Sequence, residues 1–470
     1  VGAVTTSRTG ADDVAASFSS SGPTPLSLRL KPEVNAPGVQ IISAVPGGGW
    51  GPSSGTSMAA PHVAGAAALL LQRHPTWTPA QVKSALTQTG DTAFLDDGKS
   101  VELSTVRAGG GVVNLPRADR PLLFAAPATI SFGLVAPTAT VTRQVDLTDA
   151  EGGAGDPWTV TLDQQSTVAG ARITFPPTVG VPGALPVTVT TSQAKDAELT
   201  GYIVLTRGAD VRRIPYWLRT GAPKLGSAKR TLLRRTGIFS ATTKGGTSRV
   251  AKYLYPERPS GFGFASELPG PERVFRVTLP RAAQNFGVVI TRHGPGVAVE
   301  PRIVQAGDER RLAGYAALPY NLNPYLRGFG DAVLAAGVIL PAAGSYDIVF
   351  DSRSAARAGA FSFRYWLNDT TPPTAVLRTP RVAAGRPVLV ATSDRGSGVA
   401  GASLVVTVDG ADRGARYRAG QIQIPTQGLR PGRHELRVQI SDFQETRNME
   451  NVGKILPNTR ILTTAFTVVG

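Results

Sequence analysis

The residues best placed to do chemistry lie in one run, Gly55-Thr56-Ser57-Met58-Ala59-Ala60-Pro61-His62-Val63-Ala64-Gly65, followed by the small-residue stretch Ala66 to Leu71. Gly55 permits a tight turn, Thr56 can cap, and Ser57 to Leu71 then reads as a helix of small and apolar residues. Pro61 falls in the first turn of that helix, where a missing N–H costs nothing. A serine hydroxyl is thereby set at a helix N-terminus. Free backbone N–H groups and the positive end of the helix dipole favour a developing oxyanion there, which is the chemistry of nucleophilic attack on a carbonyl. Ala59, Ala60, Ala64, Ala66, Ala67 and Ala68 allow close approach of neighbours, so the helix is expected to be buried at the centre of a layered α/β domain.

A serine needs a base within hydrogen-bond reach, oriented in turn by a carboxylate. The chain has four histidines, His62, His74, His293 and His434. His62 lies about 140° around the helix axis from Ser57, at roughly 100° per residue, so its ring points away from the hydroxyl. His74 follows at the far end of the helix, more than about 20 Å distant at roughly 1.5 Å of rise per residue. His293 and His434 stand near turns in later β-rich segments, where a lone histidine is expected to be solvent-exposed.

Stepping out from Ser57, the eleven positions Gly55 to Gly65 resemble the nucleophile motif of subtilisin-like serine proteases (subtilases, peptidase family S8). Gly55, Thr56, Met58, Pro61 and His62 support the motif around Ser57, and a tightly packed helix start is the competing reading. Upstream, Val1 to Val4, Val14 to Pro23 and Leu30 to Val39 are similar to the segments that precede the serine in that family, with Glu33 standing where the family has Asp. Ile41 to Val45 reads as a buried strand. Downstream, Thr78, Pro79 and Gln81 form a capping box, Gly90 supplies a stop, and Gly109 to Leu115 resembles the closing segment of the catalytic domain.

The resemblance covers about residues 1–119, as the C-terminal portion of a subtilisin-like domain. It implies that Ser57 is the nucleophile with its own N–H in the oxyanion hole, and that the triad runs Asp, His, Ser along the chain. The catalytic Asp and His and the oxyanion Asn would then precede Ser57, where no match is found. His293-Gly294-Pro295 departs from the His-Gly-Thr-His pattern at Pro295. A sheet buried on both faces loses its cover when half its strands are removed, so residues 1–119 are expected to fold poorly alone. Truncation is the favoured account, since the chain starts with Val; a second chain supplying the rest is the other.

At 470 residues three or four domains are expected. Zero cysteines exclude a disulfide framework and thiolate metal sites. No apolar run is long enough to span a bilayer. The net charge of +16 comes with dispersed basic residues, such as Arg207, Arg212, Arg213, Arg276 and Arg437, and with no basic run or aromatic stripe. That pattern argues against nucleic acid and for solubility and adhesion to anionic cell-wall polymer. No metal and no cofactor is called for.

From Pro121 helical periodicity gives way to short alternating runs. Residues 120–221 resemble a fibronectin-type-III-like β-sandwich, with a hairpin turning at Arg207 to Asp210 and Pro215 marking an edge strand or strand end. Residues 222–368 resemble a jelly-roll-like accessory domain, in which Gly314 to Leu326 is either an exposed aromatic loop or, preferably, core packing. Asp369 to Pro373 is a stiff linker. Residues 369–470 resemble a bacterial immunoglobulin-like domain; Asp394 and Asp442 there are candidate calcium ligands, with turn-forming roles favoured. The expected fold class is thus a partial α/β subtilisin-like domain followed by all-β sandwiches. The expected function is that of a secreted or cell-wall-associated endopeptidase acting on protein or peptide, the 470 residues alone being inactive. The alternative is a non-catalytic adhesion protein with a vestigial protease segment.

Overall fold

The computed structural model describes residues 1–6, 11–24, 26–250, 268–315, 334–444 and 458–470. It divides, undescribed residues aside, into two compact units, Val1–Ala222 and Pro223–Gly470. No helix among the described residues is long and apolar enough to cross a membrane.

The first unit opens with β1 (Gly2–Val4) and β2 (Asn35–Pro37), a parallel pair with Gly2 opposite Asn35. A hairpin follows, β3 (Ile41–Ala44) against β4 (Trp50–Ser53), and then helices α1 (Thr56–Arg73) and α2 (Pro79–Gln88). Gly47, Gly48 and Gly49 all take positive φ in the hairpin turn, a conformation that only glycine adopts freely. The strand read as buried at Ile41 to Val45 is instead exposed: Ile42 is 65% and Val45 42% accessible, because β3 pairs only with β4. The Thr78 capping box forms in full, with Pro79 in the first turn of α2. At the other end of α2 the Thr89 hydroxyl donates to the Ala85 carbonyl, and Gly90 follows this C-cap as the first residue beyond the helix.

The glycine run Gly109 to Gly111 threads through the interior. A Cβ on Gly110 would lie 1.7 Å from the Thr87 carbonyl oxygen, and one on Gly109 would lie 2.3 Å from the Glu33 carbonyl. The thread lets Asn35 donate to the Gly111 carbonyl and so joins β2 to the segment that follows α2. Glu33 accepts from Lys31 and Lys83, both at 2.7 Å. Burial works against its charge, yet those two ammonium groups hold its carboxyl below the usual range.

Residues 122–220 form a sandwich of one five-stranded and one four-stranded sheet around Trp158, Leu185, Val187, Ile203 and Ile214, all fully buried. Pro215 sits in strand Asp210–Thr220 just before the pairing with Ile130–Val135 begins at Tyr216, so the strand is an edge locally at Pro215. The sandwich and the α/β segment share a seam. Leu30 N–H donates to Ser131 Oγ at 2.7 Å, Ala125 N–H to Ser84 Oγ at 2.8 Å and Thr105 Oγ1 to the Tyr216 carbonyl at 3.0 Å.

The second unit holds two more sandwiches. Residues 230–367 carry a five- and a four-stranded sheet around Phe286, Ile303, Ile348, Phe350 and Phe363. Residues 374–469 do the same around Val388, Ile422, Leu436 and Val438. Asp409 and Gly410, both at positive φ, make the tight turn between Val399–Val408 and Ala411–Asp412. The Gly314 to Leu326 segment lies outside the described residues from position 316 onward.

The arginines read as a dispersed solubilising charge are tied into the fold. Arg213 pairs with Glu102 at 2.6 Å and lies over the Tyr202 ring, and Arg207 lies over Trp158. Arg212, only 6% exposed, donates to the Pro121 carbonyl. Arg276 and Arg230 share the fully buried Asp347, and Arg437 bonds Gln439. A guanidinium presents several donors in a fixed fork, which suits it to pinning carbonyls and carboxylates at strand junctions. Each of these six arginines has a partner within the fold.

Candidate functional site

Ser57 is the second residue of α1, and its side chain is exposed. The turn that delivers it is anchored from below. Gly55 N–H donates to the Gly38 carbonyl at 2.8 Å, and Gly38 N–H donates to the Val4 carbonyl at 3.0 Å. A Cβ on Gly38 would fall 2.6 Å from Ala3 Cβ and 2.9 Å from the Gly55 carbonyl oxygen, so only glycine allows this approach. Ala59, fully buried with Ala3, Ala16 and Ala36, fixes the first turn of α1 on β1 and β2.

Two expectations about the helix start are corrected. Gly55, not Thr56, is the N-cap, and no side chain caps the helix, so its leading N–H groups receive nothing from a side-chain cap. Pro61 lies inside the helix, beyond its first turn. It has no N–H for the carbonyl four residues back, so the ladder bond to the Ser57 carbonyl is missing. His62 lies in the turn this disturbs: its Nδ1 donates to the Met58 carbonyl at 2.9 Å.

The other histidines are engaged elsewhere. His74 Nε2 meets the Asp119 carboxylate at 2.9 Å and its ring stacks on Trp77, which together with the Arg73–Asp119 ion pair pins the C-terminal end of α1. His293 is exposed and turns its Nδ1 to the Gly294 carbonyl at 3.2 Å. His434 is only 9% exposed, against expectation, because Asp409 and the Arg430 carbonyl take both of its ring nitrogens. The Asp409 hydrogen bond raises its pKa. The structure thus brings Gly55, Thr56, Ser57 and Met58 together at the start of α1 and places no imidazole beside the hydroxyl within the first unit.

The helix is not the buried central element that its alanines suggested. Only Ala59, Ala66 and Leu70 are buried, on the stripe facing α2 and the strands, while Ala60, Ala64, Gly65 and Ala68 are exposed and Leu69 and Leu71 are 50% and 42% accessible. A Cβ on Gly65 would meet nothing within 4 Å. Among the described residues of this unit no element packs on the outer face. Trp50, on the β3–β4 hairpin, is also exposed, at 77%.

Residues 1–111 match the sequence profile of the subtilase family. The chain is 37% identical over 125 residues to the minor extracellular protease Vpr of Bacillus subtilis, covering 25% of this chain and 15% of that protein. It is 57% identical over 74 residues to subtilisin of Bacillus pumilus, covering 16% of this chain and 24% of that protein. With the subtilisin-like protease SBT3.10 of Arabidopsis thaliana it shares 39% identity over 122 residues, 23% of this chain and 16% of that protein. The chain therefore spans no more than a quarter of the length of these relatives. The exposed Ser57, at a helix start without a side-chain cap, lies within the stretch, residues 1–111, that matches the subtilase family profile.

Proposed function

We propose that this chain carries the nucleophile of a secreted subtilisin-like serine endopeptidase. Ser57 Oγ attacks the carbonyl carbon of a peptide as its proton passes to an imidazole. Charge developing on the carbonyl oxygen is held by N–H groups at the start of α1, that of Ser57 included. Collapse of the tetrahedral intermediate expels the amine, which takes the proton, and water then releases the acyl group from Ser57. The observation that carries this reading is the exposed hydroxyl at the second position of a helix with no side-chain cap. Secretion is supported by the name of the Bacillus subtilis relative, an extracellular protease.

His62 and His74 are both turned to other partners, so the imidazole and its carboxylate act from outside the first unit as described. The apolar outer face of α1 is the surface on which polypeptide bearing them packs. The 470 residues by themselves then form no acyl-enzyme. We read the three sandwiches, at about residues 120–221, 222–368 and 369–470, as fibronectin-III-like, jelly-roll-like and immunoglobulin-like accessory modules.

A fluorophosphonate probe tests this on the purified chain: labelling no higher than in Ser57→Ala is expected, and strong Ser57-dependent labelling would show that the chain holds its own base. Reading the genomic DNA upstream of the Val1 codon completes the test. An in-frame extension with Asp-Ser/Thr-Gly and His-Gly-Thr-His patterns, whose product is labelled at Ser57, is the supporting result; a stop codon there removes the endopeptidase reading.

A further inference from the structure

Three carboxylates of the second unit meet where its two sandwiches join. Asp369 follows strand Ala360–Leu367, Asp394 opens the loop before Val399–Val408, and Asp442 ends Gly432–Asp442. One oxygen from each lies within 4.8 Å of the others. Asp369 and Asp442 are only 5% and 1% exposed, and among the described residues no cationic side chain forms an ion pair with any of the three. The nearby Arg364 guanidinium donates instead to the carbonyls of Arg395 and Gly396.

Backbone amides in these loops serve the carboxylates, as turn-forming aspartates require: Gly398 N–H donates to Asp394 and Gln444 N–H to Asp442. The sequence reading of Asp394 and Asp442 as turn residues therefore holds but is incomplete, because Asp369, read only as linker, joins them. Two residues whose amides bond these carboxylates each carry a side-chain oxygen without a partner. Ser397 is fully buried; its amide donates to Asp369 Oδ2 at 2.7 Å, while its Oγ is enclosed and unpaired. Covalent geometry keeps a seryl Oγ within about 4 Å of its own nitrogen, so this hydroxyl lies within about 7 Å of the Asp369 carboxylate. Gln444 Oε1 is likewise enclosed and unpaired, on the residue whose amide bonds Asp442.

Neither a crowd of buried carboxylates nor an orphaned buried oxygen is stable without compensation. An oxygen-only donor set of this size suits a hard divalent cation. The Asp369 carbonyl is also held from both sandwiches, by Asn285 Nδ2 at 2.8 Å and Asn458 Nδ2 at 3.2 Å. A Cβ on Gly396 would strike the Asp369 carboxyl carbon at 2.3 Å, so the Asp394 loop closes directly on the connector.

We propose that Asp369, Asp394 and Asp442 bind a calcium-type divalent cation that fastens the connector between these two sandwiches. The test is calorimetric titration of the chelator-treated 470-residue chain with calcium chloride alone, then with magnesium chloride. Asp442→Asn and the less buried Asp394→Asn should each remove one equivalent of calcium while far-UV circular dichroism stays unchanged. Calcium should also slow proteolytic cleavage at residues 369–373 about tenfold in the parent chain only. No binding at millimolar calcium, unchanged stoichiometry in both variants, or magnesium binding as tight as calcium would overturn the assignment. This outcome is independent of labelling at Ser57.

Discussion

Two glycine- and alanine-rich stretches of the first unit make an instructive pair. Gly109 to Gly111 and the outer face of α1 both carry the small residues that permit close approach, yet only the first is approached: a Cβ on Gly110 meets the Thr87 carbonyl, and one on Gly65 meets nothing. Small side chains record that a surface can come close to another. They do not say which surface, or whether it lies within the same described unit.

The largest expected effect that would break this contrast is at the thread. Gly110→Ala forces backbone displacement and should cost about 4 kcal/mol or more, read as loss of a cooperative thermal transition in the first unit. Leu70→Ala, on the buried stripe of α1, should cost about 2–5 kcal/mol, whereas Leu69→Ala, one residue further round, should stay within about 0.5 kcal/mol. Denaturant midpoints of the two variants measure the difference, and equal losses would mean that the outer face is covered. Gly65→Ala sharpens the comparison because its sign differs: with open space around it, alanine should stabilise the helix by about 1 kcal/mol. A lowered midpoint would reveal a neighbour at that face.

The smallest effect concerns the pinned end of α1. Burial opposes charge on Asp119, but hydrogen bonds from His74 and Arg73 hold its folded pKa below the ordinary value. Its contribution is therefore present above the unfolded carboxylate pKa and is lost as pH falls through the folded one. Melting curves from pH 6 to pH 3 should show a larger acid-side loss in the parent chain than in Asp119→Asn, which keeps the loss due to Glu33.

What was legible in the sequence divides along the same line. The Ser57 motif, the capping box of α2 and the alternation of the sandwich strands are local patterns, and each is set by residues within a few positions of one another. Missed were properties decided by distant partners. Ile41 to Val45 has the composition of a buried strand but finds only β4 beside it. His434 is buried because Asp409 and Arg430 enclose it. Most of the arginines counted as surface charge are bound by carboxylates and carbonyls far along the chain; Arg213 and Glu102 are one example, and no spacing rule joins them. Pro61 lies beyond the first turn whether Gly55 or Thr56 caps the helix, being the sixth or the fifth helical residue, so its missing N–H costs a ladder bond in either register.

The seam between the α/β segment and the first sandwich has a mechanical consequence. Ser131, Ser84, Thr105 and the Arg213–Glu102 pair all join residues on opposite sides of the short connector at 119–121. A single nick in that connector would leave the two pieces clasped, and a pull on the sandwich would load the strands and helices beneath Ser57 instead of stretching a tether. For this pair of modules, the boundary at which composition changes is not a boundary across which the molecule yields.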